Sequence, residues 1–134
     1  MIKKIQIASL ERSIRENLFN LHATHENPEA TEADFYRKWV KLVKIDLSAI
    51  ADADLVKGMT EEQSKRYLQC VGPAHYPAVS QGRLIDGMHR LTAMKKAGMK
   101  ECVAADFTGL VDTDKSGFQI PLKLKPVQAA HLSM

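Results

Sequence analysis

The stretch from Leu84 to Gly109, LIDGMHRLTAMKKAGMKECVAADFTG, constrains the fold more than any other part of this chain of 134 residues. A short apolar run stops at Asp86-Gly87, and a helical pattern then runs from Met88 to Ala97. Gly98 stands where a left-handed residue often closes a helix, and the run CVAADF that follows has the character of a strand. This succession of strand, turn, helix and strand predicts a small α/β (or α+β) domain in which helices flank a mixed sheet.

Two helices are predicted in the first 42 residues. The first spans about residues 8 to 21, where Glu11 and Arg15 are spaced for an i,i+4 ion pair on the outer side. Asn27-Pro28 opposes helix and predicts a loop, which ends at Thr31 as the N-cap of the second helix. Apolar residues recur at three- and four-residue steps along both helices, namely Ile7, Leu10, Ile14, Leu18 and Leu21 in the first, and Phe35, Trp39 and Leu42 in the second.

Strands and a third helix are predicted in the middle of the chain. The segment VKIDLSAI, which starts at Val43, alternates apolar and polar residues as a half-buried strand does. Thr60 and Gln63 have the spacing of a capping box, which opens a helix over about residues 61 to 71 that ends at Gly72-Pro73. This helix is expected to bury Tyr67, Leu68 and Val71, and two short strands, Ala78–Ser80 and Arg83–Ile85, follow it.

Composition bounds the class of protein. With 45% hydrophobic and 26% charged residues, the chain fits one globular domain, divided into an N-terminal helical extension (1–42), a core (43–109) and an irregular tail (110–134). The first residues turn charged too soon for a signal peptide, and no run of about 18 apolar residues exists, so we expect a cytoplasmic protein without a membrane partner. Cys70 and Cys102 have neither zinc-ligand nor disulfide-scaffold spacing, and no metal ligands are predicted.

The strand-to-helix turn at Asp86-Gly87 is the predicted binding site. Gly87 lacks a Cβ and lets the backbone approach a ligand, while the first-turn amides of Met88, His89 and Arg90 favour an anion. The imidazole and the guanidinium both suit phosphate. Asp86 fits phosphate poorly unless it holds a metal ion, a ribose hydroxyl or Arg90. The alternative is an ordinary turn followed by a solvated first turn of helix.

The segment IDGMHRLTAMKKAG resembles the phosphate-binding segment of the ParB/sulfiredoxin-like fold, in which a strand ends in Gly-x-[His/Arg]-Arg. More loosely, the resemblance runs from VKIDLSAI through ECVAADFTG, about half the chain. It implies a nucleotide ligand, with ATP, ADP and CTP not distinguished. Met88 stands where sulfiredoxins carry their nucleophilic cysteine, so sulfiredoxin activity is not expected.

Two other groups of that superfamily bear on the expected activity. The CTP-binding ParB proteins carry Gly-Glu-Arg-Arg followed by a helix-turn-helix domain, and this chain has neither feature. The free serine kinases carry Asp-Gly-His-His-Arg, which Asp86, Gly87, His89 and Arg90 match. This match implies transfer of phosphate from a nucleotide to a small hydroxyl substrate, or hydrolysis of the nucleotide.

Phosphoryl transfer also needs a base and usually Mg²⁺. The sequence offers Asp52 and Asp54 in the ADAD loop, or Glu61 with Glu62 at the start of the third helix, as catalytic candidates. The alternative for all four is an ordinary role, as loop acids or as acids that complement the dipole of their own helix.

Two further constellations suggest other activities. The loop segment HATHE (His22 to Glu26) has HxxHE rather than HExxH spacing, which favours a solvated loop over a metal site.

A run of basic residues near Trp39 suits nucleic-acid phosphates, but we expect it to be the solvated side of a helix with Trp39 in the core. The basic residues of this run are Arg37, Lys38, Lys41 and Lys44. The alternative functions are therefore a ParB-like DNA-binding protein or nuclease, and a non-catalytic interaction module of a mobile element.

Overall fold

The computed structural model of the protein describes residues 2–69, 75–112 and 120–128. Its helices are α1 (Arg12–His25), α2 (Glu32–Tyr36), α3 (Glu61–Leu68) and α4 (Met88–Lys96). Its strands are β1 (Lys4–Gln6), β2 (Trp39–Asp46), β3 (Ala78–Ser80), β4 (Arg83–Asp86), β5 (Glu101–Asp106) and β6 (Leu124–Pro126). Helices combined with a sheet confirm the predicted α/β class. In these three ranges, no helix has the length and apolar character that crossing a bilayer requires.

The six strands form one mixed sheet. Its order is β1-β2-β5-β3-β4, and β6 also pairs with β2. On β2, β1 pairs with Trp39–Lys41 and β6 with Val43–Ile45, so these two short strands share one edge of the longest strand. Strands β3 and β5 run parallel, and every other pairing is antiparallel.

Helices cover both faces of the sheet. On β2, Val40 and Leu42 face the core formed with α1 and α2, whereas Val43 and Ile45 face the core formed with α4. This alternation follows from the period of two along a strand. Helix α3 packs against α4. The largest fully buried side chains are distributed over both cores and include Phe35, Phe107, Leu18, Ile45, Leu84 and Leu91.

The start of the chain differs from the sequence prediction. Residues Lys4–Gln6 form β1 and Ile7–Ser9 a turn of 3₁₀ helix, so α1 begins at Arg12 rather than near residue 8. The predicted ion pair between Glu11 and Arg15 is not formed, because Arg15 donates to the carbonyl of Leu10 at 2.8 Å. The i,i+4 pair on this helix joins Arg12 to Glu16 at 2.8 Å.

The segment HATHE is not a solvated loop, since α1 continues through His25. His22 is only 7% exposed and stacks on the ring of Phe35, with centroids 4.9 Å apart. Its Nδ1 lies 2.6 Å from the carbonyl oxygen of Leu110. Its place in a packed helix, with both an aromatic and a hydrogen-bond partner, makes His22 a structural residue.

The predicted second helix is much shorter than expected. Thr31 caps it as predicted, and its hydroxyl accepts from the Asp34 amide at 3.2 Å, but the helix ends at Tyr36. Strand β2 begins at Trp39, four residues before the predicted strand, and crosses the boundary placed at residue 42. The prediction that Trp39 is a core residue is therefore wrong. In the strand that pairs with β1, its side chain faces solvent and is 61% exposed.

The remaining elements follow the prediction closely. Both hydrogen bonds of the Thr60–Gln63 capping box are present, at 3.0 and 3.1 Å. Gly98 has a positive φ of +85° after α4. The last residues include a short strand, β6, in a tail that was expected to be irregular. Val71 and the Gly72-Pro73 stop lie outside the described residues.

Candidate phosphate-binding site

The turn from β4 to α4 is built on Gly87. Its φ is +106°, and a Cβ placed there would lie 2.8 Å from Pro77 Cβ. Any other residue would be strained in this conformation and would clash with a rigid ring. In the structure the neighbour that comes close to Gly87 is Pro77, and the approach of a ligand to this glycine stays a prediction.

The first turn of α4 follows directly. Gly87 is the N-cap residue, and its carbonyl accepts from the amide of Leu91 at 2.9 Å. Leu91 is the first residue of α4 whose N–H bonds to a carbonyl four residues earlier. The amides of Met88, His89 and Arg90 come before it in the chain, so they have no acceptor within their own helix. They lie at the positive end of the helix dipole, which favours an anion at this place.

Arg90 is held in a defined position. Its side chain is only 15% exposed, and Nη1 donates to the carbonyl of His75 at 3.0 Å. Its Nη2 lies 3.8 Å from a carboxylate oxygen of Glu11, the residue just before α1. The guanidinium carbon stands 5.9 Å from the centroid of the Tyr67 ring. Of these contacts, the one to the His75 carbonyl is within hydrogen-bond distance, so several of the five guanidinium N–H groups remain for a ligand.

Asp86, the last residue of β4, is half-buried beside this turn. Its Oδ2 accepts from Asn17 Nδ2 at 3.0 Å. Burial raises the pKa of Asp86 above its ordinary value, and the hydrogen bonds from Asn17 and from the Gly87 amide oppose that shift. The nearby charge of Glu11 adds a smaller upward shift to this pKa. Asp86 therefore holds a proton more readily than an exposed aspartate does.

These residues line a cavity of about 190 Å³. Its polar wall comes from Glu11, Asp86 and the first turn of α4, and its aromatic wall from Tyr67 and Tyr76. The exposed imidazole of His89 stacks on Tyr67, with ring centroids 5.8 Å apart and an angle of 28° between the planes. The five residues predicted from the sequence, Asp86 to Arg90, thus all border one cavity.

A second cavity of about 390 Å³ adjoins the first. Tyr67, Tyr76, Pro77 and Arg90 line both of them. The second cavity is largely apolar, with Leu68, Met94, Met99, Cys102 and Val103 in its wall. Tyr67 and Leu68 are therefore not buried by the fold as predicted, because the face of α3 that carries them borders this space.

The predicted catalytic acids lie elsewhere. Asp52 is 91% exposed and pairs with Lys95 at 3.3 Å, near the C-terminal end of α4. Asp54 follows it in the same 3₁₀ turn. Glu61 begins α3 and shares a surface depression with Lys96 and Ala97, again at the C-terminal end of α4. The structure does not bring these three acids to the first turn of that helix.

Several residues at the cavity were not predicted from the sequence. Glu11 and Asn17 come from around the start of α1, and His75, Tyr76 and Pro77 come from the segment before β3. No sequence signal pointed to Glu11, which lies within the first predicted helix and was expected to pair with Arg15. Glu11 and Arg90 are far apart in the sequence, so their contact could not be predicted from local patterns.

Comparison of the chain with protein-family models, with curated proteins and with solved structures gave no match. Within residues 2–69, 75–112 and 120–128, no three His, Cys, Asp or Glu side chains are grouped so as to hold a metal ion. The candidate site consists of hydrogen-bond donors that suit an anion, two carboxylates and an adjoining apolar cavity.

Proposed function

We propose that this protein binds a phosphate ester at the first turn of α4, with the phosphate facing the amides of Met88, His89 and Arg90. The observation that carries the proposal is the fixed guanidinium of Arg90 at the same cavity as these amides, 15% exposed and anchored to the His75 carbonyl. A planar donor group at a helix N-terminus is a strong arrangement for a phosphate.

The ester group of this ligand would occupy the larger, apolar cavity. Arg90 borders both cavities, so a ligand whose phosphate meets the guanidinium can place its other end among Tyr67, Met94 and Val103. A volume of about 390 Å³ lies in the range of small-molecule sites. His75 Nδ1 is buried there and finds no hydrogen-bond partner in the part of the chain that the structure describes. A nucleotide, with an aromatic base that carries hydrogen-bonding groups, has this combination of chemistry.

The carboxylates extend the proposal to phosphoryl transfer. Asp86 has a raised pKa at the cavity wall, and a raised pKa suits a carboxylate that accepts a proton from an attacking hydroxyl or water. We propose Asp86, rather than Asp52, Asp54 or Glu61, as this base. Mg²⁺ binds through one or two carboxylates together with substrate phosphates, and Glu11 is the carboxylate at this cavity that would serve that role while Asp86 acts as the base. The ion would neutralise charge on the phosphates.

Calorimetric titration tests the binding step. We expect at least one of ATP, ADP, CTP and GTP to bind, and Arg90→Ala to weaken that binding by about tenfold or more, since it removes a charge-assisted contact. Arg37→Ala is the matched control, because Arg37 is exposed and its side chain makes polar contacts only with Asp34 and the Ala33 carbonyl, within its own helical turn, among the described residues. Equal binding by wild type and Arg90→Ala would refute the site.

Release of inorganic phosphate tests the transfer step separately. With the bound nucleotide and Mg²⁺, we expect phosphate release by the wild type and a loss of at least about a hundredfold in Asp86→Asn. Binding without any turnover would leave a nucleotide-binding module. No heat with any nucleotide would favour the non-catalytic interaction module instead.

A further inference from the structure

Trp39 is the one tryptophan of the sequence, and it stands 61% exposed at the start of β2. It lies on the α4 side of the sheet, together with Lys41, because alternate residues of a strand share a face. Among the described residues, Met99 is the other exposed large hydrophobic side chain, and it is exposed to a smaller extent, 42%. Tryptophan is enriched at binding interfaces, and an exposed ring of this size is available to a ligand.

Three lysines line the same surface depression as this ring. Lys4 on β1 lies directly opposite Lys41 on β2, and Lys38 precedes Trp39. Like charges directly opposite each other destabilise a sheet. None of the three forms an ion pair with a residue in the described ranges. Asp106 also lies opposite Lys41, on β5, and its carboxylate accepts from both the amide and the hydroxyl of Thr108, at 3.0 and 2.6 Å.

The composition of this surface argues against a protein partner. The centres of protein interfaces are depleted of lysine and carry apolar neighbours around an aromatic residue. Here a broad depression of about 660 Å³ contains Lys4, Lys38 and Lys41 beside Trp39. An exposed aromatic ring among cations matches a different partner, the single-stranded nucleic acids, whose unpaired bases stack on rings while their phosphates meet lysines.

We propose that the Trp39 surface, defined by Lys4, Lys38, Trp39 and Lys41, binds single-stranded nucleic acid. One base stacks on the Trp39 ring, and the three lysines contact the flanking phosphates. A duplex does not fit this arrangement, because its bases are already stacked and cannot reach the ring. The surface is separate from the phosphate site, since β5 and β3 lie between β2 and β4, a spacing of roughly 14 Å.

The fluorescence of Trp39 tests the proposal directly, since no other tryptophan contributes. Titration with a ten-residue oligothymidylate at low salt should quench this fluorescence. The logarithm of the binding constant should fall with the logarithm of salt concentration with a slope of about −2 for three lysines. A duplex of the same length should bind at least tenfold more weakly and without quenching.

Variants separate the ring from the charges, with binding followed by anisotropy of a labelled oligonucleotide. Trp39→Ala should weaken binding by roughly tenfold or more, and Trp39→Phe should recover part of it. Lys38→Gln with Lys41→Gln should reduce the magnitude of the salt slope to below 1. Lys96→Gln with Lys100→Gln removes two exposed lysines elsewhere on the surface and should leave affinity within about twofold of the wild type.

Three results would overturn the proposal. Unquenched fluorescence during saturable binding would place the nucleic acid away from Trp39. If the protein bound polyglutamate and the oligonucleotide with equal affinity, the Trp39 surface would be a site for anions in general. Loss of binding in Arg90→Ala, with binding intact in Trp39→Ala, would assign the nucleic acid to the phosphate site.

Discussion

Gly87 and Pro77 are packed so closely that a Cβ on the glycine would lie 2.8 Å from Pro77 Cβ. Gly87→Ala should therefore lower the free energy of unfolding by about 1–3 kcal/mol from backbone strain alone, with a further cost from the clash. Urea denaturation measures this loss. Gly109→Ala is the matched control, since Gly109 has a similar φ of +92° and no neighbour within 4 Å of the added Cβ. Equal losses in the two variants would show that the contact with Pro77 costs nothing.

The half-buried carboxyl of Asp86 makes stability depend on pH. Its folded pKa lies above the ordinary value of about 3.8, so the unfolded chain loses this proton first as pH rises. The contribution of Asp86 to stability therefore falls between the ordinary and the raised pKa and stays low above it. Relative to Asp86→Asn, the wild type should become less stable between pH 3 and pH 7.

Urea denaturation of both proteins at several pH values checks this expectation. Asp46 and Glu101 have lowered pKa values from the hydrogen bonds of Ser48 and of Lys44, and they shift stability in the opposite direction. Both residues are present in wild type and variant, so their effects cancel in the difference. A difference that does not change with pH would contradict the raised pKa of Asp86.

Cys102 should be unreactive in the folded protein. Burial raises its pKa to about 12, and the charge of Glu101 adds to that shift. Since the thiolate is the reactive form, iodoacetamide at pH 8 should modify Cys102 roughly two to three orders of magnitude more slowly in the folded than in the urea-unfolded chain. Mass spectrometry of the peptide that contains Cys102 gives both rates. Similar rates would mean that this thiol is accessible.

Thr92 is fully buried in α4 and ties this helix to the chain before α3. Its hydroxyl donates to the Met88 carbonyl at 2.9 Å and accepts from the Val56 amide at 3.0 Å. Thr92→Val keeps the shape but leaves the Val56 N–H without its acceptor, at a cost of about 1–3 kcal/mol in the free energy of unfolding. Thr92→Ser keeps the hydroxyl and should cost less. If Thr92→Val proves the milder of the two in thermal denaturation, the hydrogen bond to Val56 contributes little.

Local signals were enough to predict the elements from Thr60 to Asp106, whereas β6, which pairs with the distant strand β2, was missed. The capping box, the pair of short strands and the turn at Gly87 depend on residues within a few positions of each other. Strand β1 and the start of β2 were missed because their pairing joins residues more than 30 positions apart. Trp39 shows this limit, since its helical spacing from Phe35 was compatible with a core position that the strand pairing excludes.

The same distinction holds for the candidate site. The residues from Asp86 to Arg90 are contiguous, and their turn chemistry could be predicted. The partners Glu11 and Asn17 reach the turn only because α1 packs over the sheet, and sequence periodicity carries no information on that approach. The acids chosen from the sequence, Asp52, Asp54 and Glu61, were close to α4 in the fold but at its other end.

Strand β2 takes partners from both ends of the described chain, with β1 and β6 side by side along one edge. During synthesis on the ribosome, residues 39–46 emerge long before Leu124–Pro126. Until those last residues emerge, Val43–Ile45 presents unpaired backbone groups to the surroundings, where another chain can pair with them. The nascent protein thus carries an unpaired segment on this edge of β2 until β6 has been made.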